Sequence, residues 1–181
     1  RFFYMNKTGK ISSVSFSGLM VKNMGTSGDF IDIRKGTANV ISVKNNTFAN
    51  GIRTFARVDA SVECGAMTVE NNTMYNLCSP DSKDNNGIFH VRSTAGSGLI
   101  DYRIVNNLFY SILIDETPSN ANGYPKLVST NAANVIPTFT ANYYYDVETE
   151  GDFCWWTKDR ITAEVGLGGY GVVLAEDPFT S

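Results

Sequence analysis

A single histidine, His90, is the only imidazole in this chain, and the sequence places no Ser, Cys or second base beside it. A nucleophilic triad is therefore not signalled. The three cysteines, Cys64, Cys78 and Cys154, are an odd set without a CxxC pair. That pattern signals neither a disulfide framework nor a zinc site. Buried thiols are the expectation, with a bridge between Cys64 and Cys78 left open. Positive charge is also scarce, with 15 Lys and Arg against 18 Asp and Glu, a net charge of -3 and a pI near 5.1. Such a balance carries no basic footprint for nucleic acid. No run of residues reads as a transmembrane span or as an amphipathic helix longer than two or three turns. The chain opens at Arg1 inside an apolar strand with no signal peptide, as a fragment or a mature form without its targeting segment would.

What the chain has in quantity is asparagine, 18 residues in 181, with 16 glycines. Both suit turns and side-chain amide ladders and oppose helix. Five stretches align in one register: SFSGLMVKN (15 to 23), SVKNNTFAN (42 to 50), TVENNTMYN (68 to 76), RIVNNLFYS (103 to 111) and TFTANYYYD (138 to 146). With Gly18, Asn45, Asn71, Asn106 and Ala141 as the marker, the unit recurs after 27, 26, 35 and 35 residues. A period of that size made of strands predicts a stacked solenoid.

An earlier strand precedes each unit: FYMN (3 to 6), IDIR (31 to 34), ARVD (56 to 59), FHVR (89 to 92) and PKLV (125 to 128). Because strand side chains alternate between faces, three sets of apolar positions form inward columns. The first comprises Phe3, Ile31, Ala56, Phe89, Pro125 and Met5, Ile33, Val58, Val91, Leu127. The second comprises Val14, Ile41, Met67, Tyr102, Pro137 and Phe16, Val43, Val69, Ile104, Phe139. The third is Val21, Phe48, Met74, Phe109, Tyr144. Three short strands per coil make an all-β, triangular parallel β-helix of about five coils, spanning 1 to 146. Asn46, Asn72, Asn107 and Asn142 are expected to form an amide ladder at a corner. Residues 147 to 181 leave the pattern and are expected to be an irregular cap of the same domain.

The insertions CSPDSKDNNG (78 to 87) and DETPSNANGY (115 to 124) lie at one corner of adjacent coils, just before the early strand. Insertions gathered on one edge of a solenoid commonly mark its binding face. The outer face of the early strands carries two charged columns, Asp32, Arg57, His90, Lys126 and Arg34, Asp59, Arg92, Val128. One reading is a salt-bridge ladder in which Asp32 pairs with Arg57 and Asp59 sits between Arg34 and Arg92. The other is a cationic strip of Arg57, His90, Arg92 and Lys126, facing solvent and placed to meet a carboxylate or sulfate on a polymer. Asp32 and Asp59 lie in different columns beside arginines, which is not the carboxylate pair of a glycosidase. Asp81 and Asp84 give the 81 to 87 loop oxygen ligands for calcium, without the spacing or closing Glu of an EF-hand. Sugar rings stack on aromatic faces, so Tyr124, Trp155, Trp156 and Tyr145 are the aromatic candidates.

The order strand, turn, strand, Asn-ladder turn, strand, long loop resembles the right-handed parallel β-helix of pectate lyases and their relatives. On that resemblance IDIR, ARVD, FHVR and PKLV match the sheet that holds the site in those enzymes, and Arg57 and Arg92 match their proton-abstracting base. The family's acidic calcium cluster has no counterpart here. The units NNTF, NNTM and NNLF, with NYYYDV and the terminal DPFT, also resemble β-helix domains of unknown function in surface lipoproteins linked to glycan utilisation in gut Bacteroidetes. The resemblance implies an extracellular or cell-surface setting, a polysaccharide partner and no cofactor other than calcium. The expected function is a non-catalytic carbohydrate-binding domain for an acidic polysaccharide, monomeric or part of a larger multidomain protein. Asp32, Arg57, Asp59, His90, Arg92, Lys126, Tyr124, Trp155 and Trp156 would be its contacts. The alternatives are a β-eliminating polysaccharide lyase, using Arg57, Arg92 or His90, and a structural stalk or adhesin module.

Overall fold

The computed structural model describes residues 1–25, 28–59, 62–77, 88–91, 99–112, 128–130, 138–147, 154–155 and 171–180. All its regular elements are strands, in three sheets. Sheet A contains β1 (Phe3–Met5), β4 (Gly28–Ile33), β7 (Ile52–Val58), β10 (Phe89–Val91), β13 (Val128–Thr130) and β16 (Cys154–Trp155). Sheet B contains β2 (Lys10–Ser17), β5 (Gly36–Lys44), β8 (Val62–Glu70), β11 (Leu99–Val105) and β14 (Thr138–Thr140). Sheet C contains β3 (Met20–Lys22), β6 (Thr47–Ala49), β9 (Thr73–Tyr75), β12 (Leu108–Ile112), β15 (Asn142–Val147) and β17 (Gly171–Val173). Strands within each sheet are neighbours in that order and pair in parallel, each with its counterpart three elements away, except that β17 pairs with β15, two elements away. The protein is an all-β parallel solenoid. Among the described residues no helix is long and apolar enough to cross a membrane.

Corners set this architecture. Asn45, Asn71, Asn106 and Ala141, with Gly18, all have φ between 54° and 68°, the left-handed region that Asn and Gly tolerate best. The next residue inward is the buried ladder. Asn46, Asn72, Asn107 and Asn142 are each at most 3% exposed. The Asn46 and Asn72 Nδ2 groups donate to the next ladder oxygen at 3.0 and 2.9 Å, and Asn107 Nδ2 donates to Asn142 at 3.1 Å. Each of these three backbone N–H groups donates to the same oxygen. At the first corner Leu19 takes the ladder position, and its backbone N–H donates to Asn46 Oδ1 at 2.9 Å.

The inward columns pair as their spacing predicts. Val14, Ile41, Met67 and Tyr102 are successive partners, as are Val21, Phe48, Met74, Phe109 and Tyr144. Inside, an aromatic series runs along the axis: Phe30 to Phe48 at 4.6 Å, Phe48 to Phe55 at 4.8 Å, Phe55 to Phe89 at 5.4 Å and Phe109 to Tyr144 at 5.4 Å. Phe30 and Phe55 lie beside inward Ile31 and Ala56, because the chain is still turning the corner there and two consecutive side chains face the core. A register irregularity between Gly28 and Asp29 marks that turn.

Two expectations change. The last long connection delivers Val128, not Pro125, opposite Phe89, and Ser129, not Lys126, opposite His90. An odd slip of three residues exchanges the two faces of a strand; PKLV has alternating apolar residues, but no Asn pair fixes its distance from the repeat. The segment expected to be irregular also supplies strands. Val128 pairs with Cys154 and Ser129 with Trp155, while Asn142, Tyr143 and Tyr144 pair with Gly171, Val172 and Val173. Gly171 allows that last strand to close, since a Cβ there would collide with the Asn142 carbonyl oxygen.

Candidate functional site

On the outer face of sheet A, Asp32, Arg57 and His90 are adjacent in register, as the sequence predicts. They are not an open cationic strip. Asp32 is fully buried, His90 is 5% exposed, and the Arg57 side chain is 12% exposed. Arg34 Nε donates to both Asp32 oxygens at 3.1 Å, and Arg1 Nε closes on the same carboxylate and on Asp29 at 3.8 Å. Tyr4 lies under both cations, its ring centroid 4.4 Å from the Arg1 guanidinium carbon and 5.9 Å from that of Arg34. The hydrogen bond to Asp32 pushes the Arg34 pKa above its ordinary value. Arg57 pairs along its own strand with Asp59, Nη2 to Oδ2 at 3.8 Å.

The cations Arg1, Arg34 and Arg57 are thus matched by Asp29, Asp32 and Asp59, which corrects the expected Asp32 to Arg57 pairing and the expectation that Arg57 faces solvent. Asp32 is engaged by Arg1 and Arg34, and Arg57 by Asp59, so Asp32 and Arg57 do not pair with each other. His90 and Arg57 therefore present little surface to a polymer lying on this face. Arg92, Lys126, Tyr124, Trp156, Asp81 and Asp84 lie outside the described residues, and Trp155 is described only as part of β16. Among the described residues, no three His, Cys, Asp or Glu side chains gather in a way that could hold a metal ion. Cys64 is a free, buried thiol, and burial pushes its pKa up to about 12, so it is no nucleophile at neutral pH.

Sheet C presents a different surface. The eighth residues of the repeats, Lys22, Ala49, Tyr75, Tyr110 and Tyr145, stand in one outward column. Tyr75 and Tyr110 have ring centroids 5.2 Å apart, and Tyr110 and Tyr145 are stacked at 5.3 Å. Tyr75 is 38% exposed, Tyr143 in the neighbouring outward column is 41% exposed, and Tyr110 and Tyr145 are half-buried. The ninth residues follow the same repeat: Asn23, Asn50, Asn76, Ser111 and Asp146 all have positive φ. Their side chains link along the axis, with Asn76 Nδ2 donating to Asn50 Oδ1 at 2.9 Å and the Ser111 hydroxyl donating to Asp146 Oδ2 at 2.7 Å. A ribbon of aromatic rings therefore runs beside a ribbon of amide, hydroxyl and carboxylate groups with the same axial repeat.

The C-terminal turn docks on the middle of this ribbon. Tyr110 OH donates to Asp177 Oδ2 at 2.7 Å, and Phe179 packs edge to face on Tyr110 at 5.3 Å while remaining 63% exposed. Phe179 N–H donates to Asp177 Oδ1 at 2.8 Å, fixing the turn. The hydrogen bond to Asp177 pushes the Tyr110 pKa up to about 12.

Of the sequence-based aromatic candidates, Tyr145 belongs to this surface. Tyr75, Tyr110 and Phe179 were missed, although the two tyrosines share one letter of the aligned repeats. Their place along the chain is informative. Lys22 is followed closely by β4 and Ala49 at once by β7, whereas Tyr75 precedes the insertion 78 to 87 and Tyr110 the insertion 115 to 124. Aromatic residues enter the column where the connections lengthen. If stacking were needed only to stabilise the sheet, the first two positions would profit equally, yet they hold Lys and Ala. Comparison with protein-family models, with curated proteins and with solved structures gave no match.

Proposed function

We propose that this solenoid is a non-catalytic carbohydrate-binding domain that works outside the cell, with the outer face of sheet C as its contact surface. The observation that carries the reading is the outward ladder of Tyr75, Tyr110 and Tyr145, confined to the part of the column that borders the long insertions. A polysaccharide has an apolar C–H face and hydroxyl edges repeated along its length. The tyrosine ribbon suits the former and the Asn76, Ser111, Asp146 ribbon the latter. An exposed aromatic patch of this kind is unusual on a surface that has no partner.

Non-catalytic binding is favoured over β-elimination by the burial of Arg57 and His90 and by the pairing of Arg57 with Asp59. A structural stalk would account for the ladder of asparagines but not for outward tyrosines that fill only the later positions of the sheet C column. The test is retention of the protein by immobilised polysaccharides in affinity electrophoresis, together with an ultraviolet assay for unsaturated uronate product. Retention without product is expected, with Tyr110→Ala weakening it about tenfold and Arg57→Ala leaving it unchanged. Product formation abolished by Arg57→Ala would replace binding by lyase activity.

A further inference from the structure

The charges around the tyrosine ladder indicate which polysaccharide it takes. Among the described residues, the polar groups beside the rings are Asn76, Ser111, Asp146 and Asp177, with Glu176 preceding Asp177 in the chain: two neutral residues and three acids. Lys22, in the same column, is separated from Tyr75 by Ala49. A uronate or sulfated chain laid along this ribbon would meet carboxylates of its own sign, and like charges brought together in a partly desolvated contact are strongly unfavourable. Among the described residues, Arg1, Arg34 and Arg57 of sheet A are engaged by Asp29, Asp32 and Asp59 and offer no compensating field there.

The same carboxylates suit hydroxyl groups. Asp177 receives the Tyr110 hydroxyl at one oxygen and the Phe179 N–H at the other, and each oxygen retains a second lone pair. Its position is fixed by those two bonds, so it is ready to accept a hydroxyl without further ordering. Phe179 stands at 62° to Tyr110 with most of its surface exposed, making one wall of an aromatic corner whose other wall is the ladder.

We propose that the surface formed by Tyr75, Tyr110, Tyr145 and Phe179 takes an uncharged glycan running along the solenoid axis, with Asp146 and Asp177 accepting hydrogen bonds from its hydroxyls. This rests on the carbohydrate-binding reading and narrows it from an acidic to a neutral polymer. It also gives the terminal DPFT turn a role in the site.

Affinity electrophoresis of the whole protein in gels containing glucomannan, xyloglucan or mixed-linkage glucan, against gels containing polygalacturonate, tests the proposal. Retention is expected in at least one neutral gel and unchanged when ionic strength rises from about 0.05 to about 0.5 M, because no ion pair is made. Phe179→Ala and Asp177→Asn are each expected to weaken that retention about tenfold while leaving the circular dichroism spectrum unchanged. Retention by polygalacturonate alone, suppressed by salt, would overturn the neutral-glycan proposal and leave carbohydrate binding standing. Neutral retention that is indifferent to both variants would remove the DPFT turn from the site. Retention by no polymer would overturn the proposal together with the reading beneath it.

Discussion

Replacing Asn72 by Ala tests the amide ladder where its consequences are best defined. The Asn72 side chain accepts the Asn46 backbone N–H and the Asn46 Nδ2 group, both at 3.0 Å, and donates to the Val43 carbonyl at 3.0 Å and to Asn107 Oδ1 at 2.9 Å. After truncation Asn46 Nδ2 still reaches the Phe16 carbonyl, and Asn107 Oδ1 still receives the Asn72 backbone N–H. The Asn46 backbone N–H and the Val43 carbonyl lose this partner in a site where Asn72 is 2% exposed. With each stranded buried group costing about 1–3 kcal/mol, the expected loss is about 2–4 kcal/mol, some compensation by relaxation being allowed for. In a chain of this size that lowers Tm by about 5–15 °C. Urea unfolding followed by circular dichroism reads it as a lower midpoint at unchanged slope. A midpoint within error of the unmodified chain would refute the ladder as a source of stability.

Four further outcomes follow from the geometry. Phe48→Ala removes a fully buried ring that contacts Phe30 and Phe55, and is expected to cost about 3–5 kcal/mol in the same assay. Cys64, with its pKa pushed up to about 12, keeps its proton in the folded state at pH values where an unfolded thiol releases it above about 8.5. The folded state then binds more protons, so stability falls as pH rises through that window, by up to about 1.4 kcal/mol per pH unit, and Cys64→Ala flattens the slope. In a Cys78→Ser, Cys154→Ser background, Cys64 is expected to react with a thiol reagent only on unfolding. Asp177→Asn is expected to bring the ionisation of one tyrosine down from about 12 toward the ordinary range, visible as earlier tyrosinate absorbance in an alkaline titration; an unchanged titration would contradict the Tyr110 to Asp177 contact.

The solenoid was legible because the Asn pair recurs beside strictly alternating strands. That anchor is local, so Val14, Ile41, Met67 and Tyr102 fall into register by counting alone. Counting failed after the longest connection, where no Asn pair follows PKLV closely enough to fix its phase, and at Phe30 and Phe55, where a corner turns two consecutive side chains inward. The charged column on sheet A was legible as a column but not as a site. Asp32 is engaged by Arg1, stacked on Tyr4, from the preceding coil, a contact no local pattern announces. The tyrosine ladder was written in the eighth letter of the repeat, yet its significance came from comparing that letter with the length of the next connection. Docking of Asp177 on Tyr110 links residues 67 apart in the chain and has no local signal at all.

The central claim concerns which face holds the ligand, and chemical-shift mapping tests it most directly. Isotope-labelled protein titrated with an oligosaccharide cut from a retained polymer is expected to shift backbone amides of β9, β12 and β15 and of residues 177 to 180, leaving β4, β7 and β10 in place. Shifts centred on Asp32, Arg57 and His90, with the tyrosine ladder silent, would contradict the account and return the site to the charged face of sheet A.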